Sequence, residues 1–300
     1  MVYSALKGRI GNNLFQIAAG LSLAEKNNTR FAAIVQKILL PQPDNCLLGV
    51  YLDQFKGNLL RNITFLDEIP AGTVKYNEPG FSYSTIEYQP NVILDGYFQS
   101  ERYFDKELIR NTFSIDKQTH SYINSKYAEI LSHEVTSVNV RRGDFTIVPE
   151  YHPVCSMSYF RNAIKYIGEK KLFLIISDDV EWCKKNFRND NYFIVKDESP
   201  TVDLYLQSLC TNNIISNSSF SWWGAWLNPN PGKLVIAPSE NWVGKLHPVQ
   251  NTKDILPEEW FKLSNPLNYH IRIRVIYKKV FQMLVRLRKT LENKLSKHNG

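Results

Sequence analysis

From Val135 onward, short apolar runs and stretches of helical period take turns along the chain. Residues 135–140, 172–176, 192–195, 214–215 and 233–237 read as strands. Between them, residues 158–168 carry Phe160, Ala163, Ile164 and Ile167 at helical spacing, a short helix holds Trp182 and Phe187, Thr201 can cap a helix containing Leu204, Leu206 and Leu209, and residues 221–227 form a last helix. Strands that are apolar throughout suit a parallel sheet covered on both faces. Strand–helix alternation of this kind specifies an α/β fold.

Three polar clusters each follow the end of one of these strands: Arg141, Arg142 and Asp144; Asp178 and Asp179; and Ser216 to Ser219. Open α/β sheets bind ligands at that edge. Guanidinium forks match phosphate oxygens in pairs and keep their charge at any working pH. A strand ending in Arg-Arg-Gly-Asp therefore suits a site that holds a diphosphate. The plainer reading of Arg141 and Arg142 is a pair of salt bridges that orient Asp144 and nearby acids. Asp178 and Asp179 read equally as a helix cap, and less readily as a metal-binding acid pair, because the octahedral oxygen set that Mg²⁺ needs cannot be assembled here. Ser218 and Ser219 can cap the helix that follows, whose N–H groups suit a phosphate. Trp222, Trp223 and Trp226 read as core. Asp203 lies in a helix's first turn, where capping is the ordinary role. His152 reads first as a polar loop residue and only second as a catalyst.

The N-terminal stretch is a second βα unit. Residues 2–6 form a strand, Gly8 to Asn13 a tight loop, and Leu14, Ile17, Ala18, Leu21 and Ala24 a helical stripe. The loop is neither GxGxxG nor a Walker motif, so Gly8, Gly11 and Asn12 are read either as a turn or as a ligand-facing loop. Residues 41–92 show no regular pattern. Residues 92–94 read as a strand and 101–113 as one helix, and the polar stretch 116–125 reads as a division between lobes.

Four cysteines without a CxxC pair and six histidines without metal-site spacing give no zinc signature and suit a reducing compartment. The N-terminus lacks a signal peptide's apolar region, and no apolar run is long enough to span a bilayer. A cytoplasmic protein is expected. Residues 265–300 hold nine Lys/Arg and one acid, Glu292, against a chain total of +7. The rest of the chain is thus close to neutral, which argues against a nucleic-acid partner. In this tail Ile276, Val280, Leu284, Leu287, Leu291 and Leu295 form one stripe. A basic amphipathic helix over 271–297 suits peripheral contact with an anionic membrane.

Taken together, GRIGNNLFQIAAGLSLA (Gly8 to Ala24), LDGYFQSERYF (Leu94 to Phe104), SVNVRRGDF (Ser137 to Phe145), HPVCSMSYF (His152 to Phe160), FLIISDDVEWCKKNF (Phe173 to Phe187) and NSSFSWWGAWLN (Asn217 to Asn228) resemble the α-1,2-fucosyltransferases of glycosyltransferase family 11. The first motif is usually GGLGNQ in that family, a histidine usually stands at the place of Asn139, and a tyrosine at that of Phe145. The resemblance implies a GT-B-like fold of two Rossmann-like lobes: an acceptor-side lobe over 1–120, a GDP-fucose-binding lobe over 121–264, and the basic tail. It implies inverting transfer of fucose from GDP-fucose to the 2-hydroxyl of a galactose, without a metal or other cofactor. The acceptor would be a galactose-terminated oligosaccharide, with a lipid-linked one accounting for the basic tail.

On this reading Arg142 binds the β-phosphate and Arg141 anchors the loop. Asp178, Asp179, Asp203, Ser218, Ser219 and Phe220 face the donor. An inverting transfer also needs a proton acceptor opposite the leaving group. Asp144, Glu101 and Glu150 are candidates. The alternatives are another GDP-sugar transferase, such as an α-1,6-fucosyltransferase, or a non-catalytic glycan- or nucleotide-binding protein on the same fold.

Overall fold

The computed structural model describes residues 1–265, apart from residues 42, 241, 245, 246 and 248–250. The amphipathic stripe of the tail lies outside the described residues. Two parallel sheets make up the architecture. The first contains β1 (Val2–Leu6), β2 (Phe31–Val35), β3 (Phe65–Leu66), β4 (Val74–Asn77) and β5 (Val92–Asp95), in the order β3-β2-β1-β5-β4. The second contains β6 (Val135–Val140), β7 (Leu172–Ser177), β8 (Tyr192–Ile194), β9 (Asn212–Ile214), β10 (Val235–Pro238) and β11 (Phe261–Leu263), in the order β11-β10-β9-β6-β7-β8. All strand pairs within both sheets are parallel. In the second sheet Val138 lies opposite both Ile175 and Ile214, and every residue of β6 is buried. This is why the strands lack polar alternation.

The helices are α1 (Ile10–Lys26), α2 (Leu48–Lys56), α3 (Lys106–Thr112), α4 (Lys117–Leu131), α5 (Met157–Ile167), α6 (Val180–Asn186), α7 (Pro200–Leu209) and α8 (Ser219–Trp226). The single helix expected over 101–113 is a 3-10 turn at Glu101–Tyr103 followed by α3. Phe104 is extended between them, and Asp105 restarts the helix by accepting from the Leu108 N–H at 2.8 Å. The polar stretch expected to divide the lobes is the first half of α4. Asp116 caps that helix by accepting from the Thr119 N–H at 2.9 Å, and Ile123 is its one buried residue. A solvated helix face therefore carries the polarity, and the division at 120/121 falls inside α4. The cap of α7 is Ser199, not Thr201. Pro200 fills the first turn, where a missing N–H costs nothing, and the Thr201 hydroxyl turns to Asn58 Oδ1 at 3.2 Å.

The largest apolar cluster draws on both sheets, and two smaller ones pack against one sheet each. The centre of the largest is Phe15 of α1, whose ring lies 4.5 Å from Trp222 and 4.9 Å from Trp223 of α8. Phe104 and Phe113 complete the cluster around Trp223. The tryptophans expected in the core are there, and Trp222 and Trp223 are fully buried. Their indole N–H groups are satisfied by Ile255 O and Gly11 O. Removing a ring from such a cluster costs about 3–5 kcal/mol. The α1–α8 contact thereby sets how the C-terminal edges of the two sheets face each other.

Candidate active site

Those facing edges enclose a cleft of about 600 Å³. From the first sheet come Gly8, Arg9, Gly11 and Asn12 after β1, and Tyr97 and Gln99 after β5. From the second come Arg141, Asp144 and Phe145 after β6, Asp178 after β7, and Ser218, Ser219 and Phe220 after β9. Asp203, in the first turn of α7, closes one side. The three strand-end clusters read from the sequence thus meet in one place, together with the glycine loop.

The loop after β6 is held by its own acids. Arg141 donates to Asp144 Oδ1 at 2.5 Å and to Asp178 Oδ2 at 2.9 Å. Its backbone N–H donates to Ser216 Oγ at 3.1 Å, and that hydroxyl donates to Asn139 O at 2.7 Å. Asp178 Oδ1 accepts from the Arg142 N–H at 2.8 Å. The salt-bridge reading is thus realised at Arg141, which is tied to two carboxylates and also lines the cleft.

Arg142 is placed otherwise. Its Nε donates to Asp179 Oδ2 at 3.1 Å, its guanidinium lies 4.1 Å from the centre of the Trp182 ring, and it is not part of the cleft lining. Asp179 also caps α6 by accepting from the Trp182 N–H at 3.1 Å. Capping is thus its structural role, and it too lies off the lining.

Asp144 sits between two cations, Arg141 and Arg9, which donate to different oxygens of its carboxylate. Burial pushes this carboxyl up, but the two guanidiniums outweigh burial and hold it below its ordinary value. A carboxylate so committed is a poor proton acceptor. Glu101 is also occupied elsewhere, accepting from Trp226 Nε1 at 3.0 Å and from Lys106 Nζ at 2.9 Å. Neither Glu101 nor Glu150 lines the cleft.

Asp203 presents the opposite electrostatics. The residue is half-buried, its Oδ1 is shielded from solvent without a hydrogen-bond partner, and desolvation, with help from Glu198, pushes its carboxyl up to about 7.

The glycine loop is a joint between the lobes. Gly8 has φ +75°, a conformation that glycine adopts without strain. A Cβ on Gly11 would lie 2.5 Å from the Phe220 backbone nitrogen, so only glycine permits this approach of α1 to α8. Asn12 Oδ1 accepts from Gln99 Nε2 and from Ser219 Oγ, both at 2.8 Å, linking the first sheet to the start of α8. Ser219 is spent on that bond, and Ser218 occupies the cap position of α8 without making a side-chain cap. The first N–H of α1, that of Ile10, donates to the Tyr51 hydroxyl at 3.2 Å.

Several lining residues escape a reading of the sequence alone. Asp44, Tyr51 and Phe81 come from the segment without a pattern, and Trp242 and His247 from the loop after β10. Tyr97 and Gln99 lie in the quoted LDGYFQSERYF stretch, which marks their location but not their direction. Among the described residues no helix is long and apolar enough to cross a membrane.

The model of glycosyl transferase family 11 matches residues 2–264. An α-1,2-colitosyltransferase of Escherichia coli is 29% identical, across 88% of this chain and 99% of that protein. A galactoside α-(1,2)-fucosyltransferase 1 of Leontocebus fuscicollis is 25% identical, across 73% of this chain and 63% of that protein. Among solved structures, NodZ α-1,6-fucosyltransferase co-crystallised with GDP superposes with a TM-score of 0.52 at 15% identity, covering 76% of this chain and 92% of that one. At this identity the likeness speaks to the fold, which is the GT-B-like arrangement of two facing α/β sheets. With the family match running from β1 to the end of the second sheet, the chain is a member of glycosyltransferase family 11.

Proposed function

We propose that this glycosyltransferase moves L-fucose from GDP-fucose to the 2-hydroxyl of a galactose at the end of an oligosaccharide, with inversion and without a metal. The single observation that carries the reading is Arg141. It is a permanently charged fork at the C-terminal end of a central parallel strand, aimed into the cleft and braced by Asp144 and Asp178. Loss of GDP builds negative charge on the β-phosphate, and a pre-positioned guanidinium offsets it without reorganising as the bond breaks. The first turn of α8 lies on the same wall and offers backbone N–H groups to the diphosphate. Its position on the lining favours Arg141 for the phosphate role, and the contacts of Arg142 with Asp179 and Trp182 favour an anchoring role for that residue.

Asp203 supports the nucleoside end of the reading. A buried carboxyl with an unpartnered oxygen and a value near neutrality suits the ring and exocyclic N–H groups of a guanine. The displacement is then a single step. The acceptor oxygen bonds to C1 of the sugar, the C1–O bond to the β-phosphate breaks, and GDP leaves with the electron pair. The α-1,2 linkage and the galactoside acceptor follow the named activities of the relatives.

A second donor is favoured by one specific observation, the 29% identity to a colitosyltransferase. Product analysis separates the two. The chain is mixed with GDP-fucose or GDP-colitose and a panel of galactose-terminated glycans, with and without EDTA. Fucose found on the galactose 2-hydroxyl, equally with EDTA, is the expected result. Transfer of colitose alone moves the donor assignment. Binding of the donor without any transfer supports a binding protein on this fold.

A further inference from the structure

The committed state of Asp144, Glu101 and Glu150's position off the lining leave the transfer without a proton acceptor among the acids read from the sequence. The cleft supplies another group. Phe145, directly after Asp144, lies with its ring 5.2 Å from the Arg141 guanidinium. On Phe145 stacks the imidazole of His152, with ring centres 4.8 Å apart and planes at 19°. Next to it, at 6.1 Å, is His247, which lies 5.2 Å from Phe81 of the opposite lobe. All four rings line the cleft.

This arrangement is built rather than incidental. The Gly244 N–H donates to Tyr151 O at 2.8 Å and joins the segment of His247 to that of His152. Asn217 Nδ2 donates to Pro153 O at 2.7 Å and to Trp242 O at 3.3 Å, fixing both segments to the loop after β9.

We propose that His152 accepts the proton of the attacking hydroxyl, and that Phe81, Phe145 and His247 form the wall that seats the acceptor pyranose beside it. This rests on the transferase reading above and deepens it. Arg141 marks the leaving phosphate, and the Phe145 ring packs against both its guanidinium and the His152 imidazole, so both groups line the one cleft that the transferred sugar would occupy. The faces of a pyranose carry C–H groups that lie against aromatic rings, while its hydroxyls point to polar atoms at the rim. As the acceptor oxygen bonds to C1 and GDP departs with the electron pair, the hydroxyl proton moves to the free imidazole nitrogen. The imidazolium then releases it to solvent.

The surroundings suit a base. Burial and the neighbouring His247 push the His152 imidazole below its ordinary value, Arg141 and Arg9 push the same way, and Asp144 opposes them. The ring is therefore neutral at neutral pH. A raised rate with rising pH follows, with the acid limb below the ordinary histidine value of 6.5.

The test compares wild type, His152→Asn, and His152→Ala with and without added imidazole, alongside Phe81→Ala. The readouts are transfer to the acceptor identified in the product screen, GDP affinity by calorimetry, and the pH–rate profile. The expected result is a kcat lowered about 10²–10⁴-fold in both His152 variants, with GDP affinity unchanged. The acid limb disappears, and imidazole restores part of the rate to His152→Ala. Phe81→Ala raises the acceptor KM at unchanged GDP affinity. The proposal falls if His152→Asn keeps a kcat within about threefold of wild type with its acid limb intact. It also falls if transfer and GDP affinity drop in parallel without imidazole rescue, since that marks a merely structural loop. An unchanged acceptor KM in Phe81→Ala removes the wall. A wild-type chain that transfers nothing overturns the parent reading, so the two failures appear in different proteins.

Discussion

Arg9, at the N-terminus of α1, donates to the Asp144 carboxylate after β6, so a direct ion pair joins the two walls of the cleft. The same guanidinium holds Asp44 at 2.5 Å. Arg9 stands where the usual family motif has glycine, so this tie comes with the variant loop GRIGNN. Its effect is to hold Asp144 ionised between two cations, which makes Asp144 a brace for Arg141 rather than a proton carrier.

Arg141 and Arg142 separate under mutation. Arg141→Ala is expected to lower transfer by about 10²–10³-fold, as removal of a donor aimed at developing charge does, and to weaken GDP binding in a folded protein. Arg142→Ala removes the stack on Trp182 and the bond to Asp179. It is expected to cost about 1–2 kcal/mol of stability and much less transfer than Arg141→Ala. Steady-state kinetics with GDP calorimetry and thermal melts of both variants check this. The reverse order of activity loss returns the phosphate role to Arg142.

The lobe joint is sensitive to single atoms. Asn12→Ala strips the acceptor shared by Gln99 and Ser219 and is expected to destabilise by about 1–3 kcal/mol. Gly11→Ala forces a methyl against the Phe220 backbone and is expected to cost at least as much, about 1–3 kcal/mol or more. Denaturant titrations read both, and a neutral Gly11→Ala would show that α1 and α8 are not pressed together.

Asp203 makes the unliganded fold pH-dependent. Its folded value of about 7 lies above its ordinary 3.8, so the folded state holds the proton more tightly than the unfolded chain. That stabilisation is complete below pH 3.8 and is lost as pH rises through about 7. Asp203→Asn keeps the shape without the charge. It is expected to flatten the decline between these limits, by a few kcal/mol at the alkaline end, and to weaken GDP binding. Melting temperatures of both proteins across this pH range decide it, and parallel curves would remove the buried-carboxyl account.

Glu78 is expected to control the first-sheet side of the cleft. Its carboxylate accepts from the Tyr97 N–H at 2.6 Å and the Phe98 N–H at 3.0 Å, and it holds Phe98 at φ +51°. That left-handed conformation is costly for a bulky residue. Glu78→Ala should let the turn relax, moving Tyr97 and Gln99 and lowering kcat/KM about tenfold at unchanged GDP affinity. Glu78→Gln, which keeps one acceptor oxygen, should lie between. Equal kinetics in all three would make the turn self-supporting.

Much of the second sheet was legible because β7 and β10 are continuous apolar runs, β6 is buried along its whole length, and the helices between carry apolar stripes, all local signals. The first sheet was half hidden. β1 and α1 show plainly, whereas β2 at Phe31–Val35 is evident only in the fold, and β3 and β4, half-buried and largely exposed, are too short to leave a periodic trace. The cap of α7 was displaced by two residues because Ser199 and Thr201 are chemically alike and only Pro200 tells them apart.

The sequence by itself determined which groups gather at the strand ends, since a parallel sheet delivers every post-strand loop to one edge. The tertiary structure alone decided what each group faces. Whether Arg141 or Arg142 enters the cleft depends on where α6 puts Trp182 and Asp179. Whether Asp144 is free depends on Arg9, 135 positions away in the chain. His152 gains company only because the loop after β10 folds back and brings His247 beside it. Such choices arise from contacts between distant segments, and no local pattern of residues encodes them.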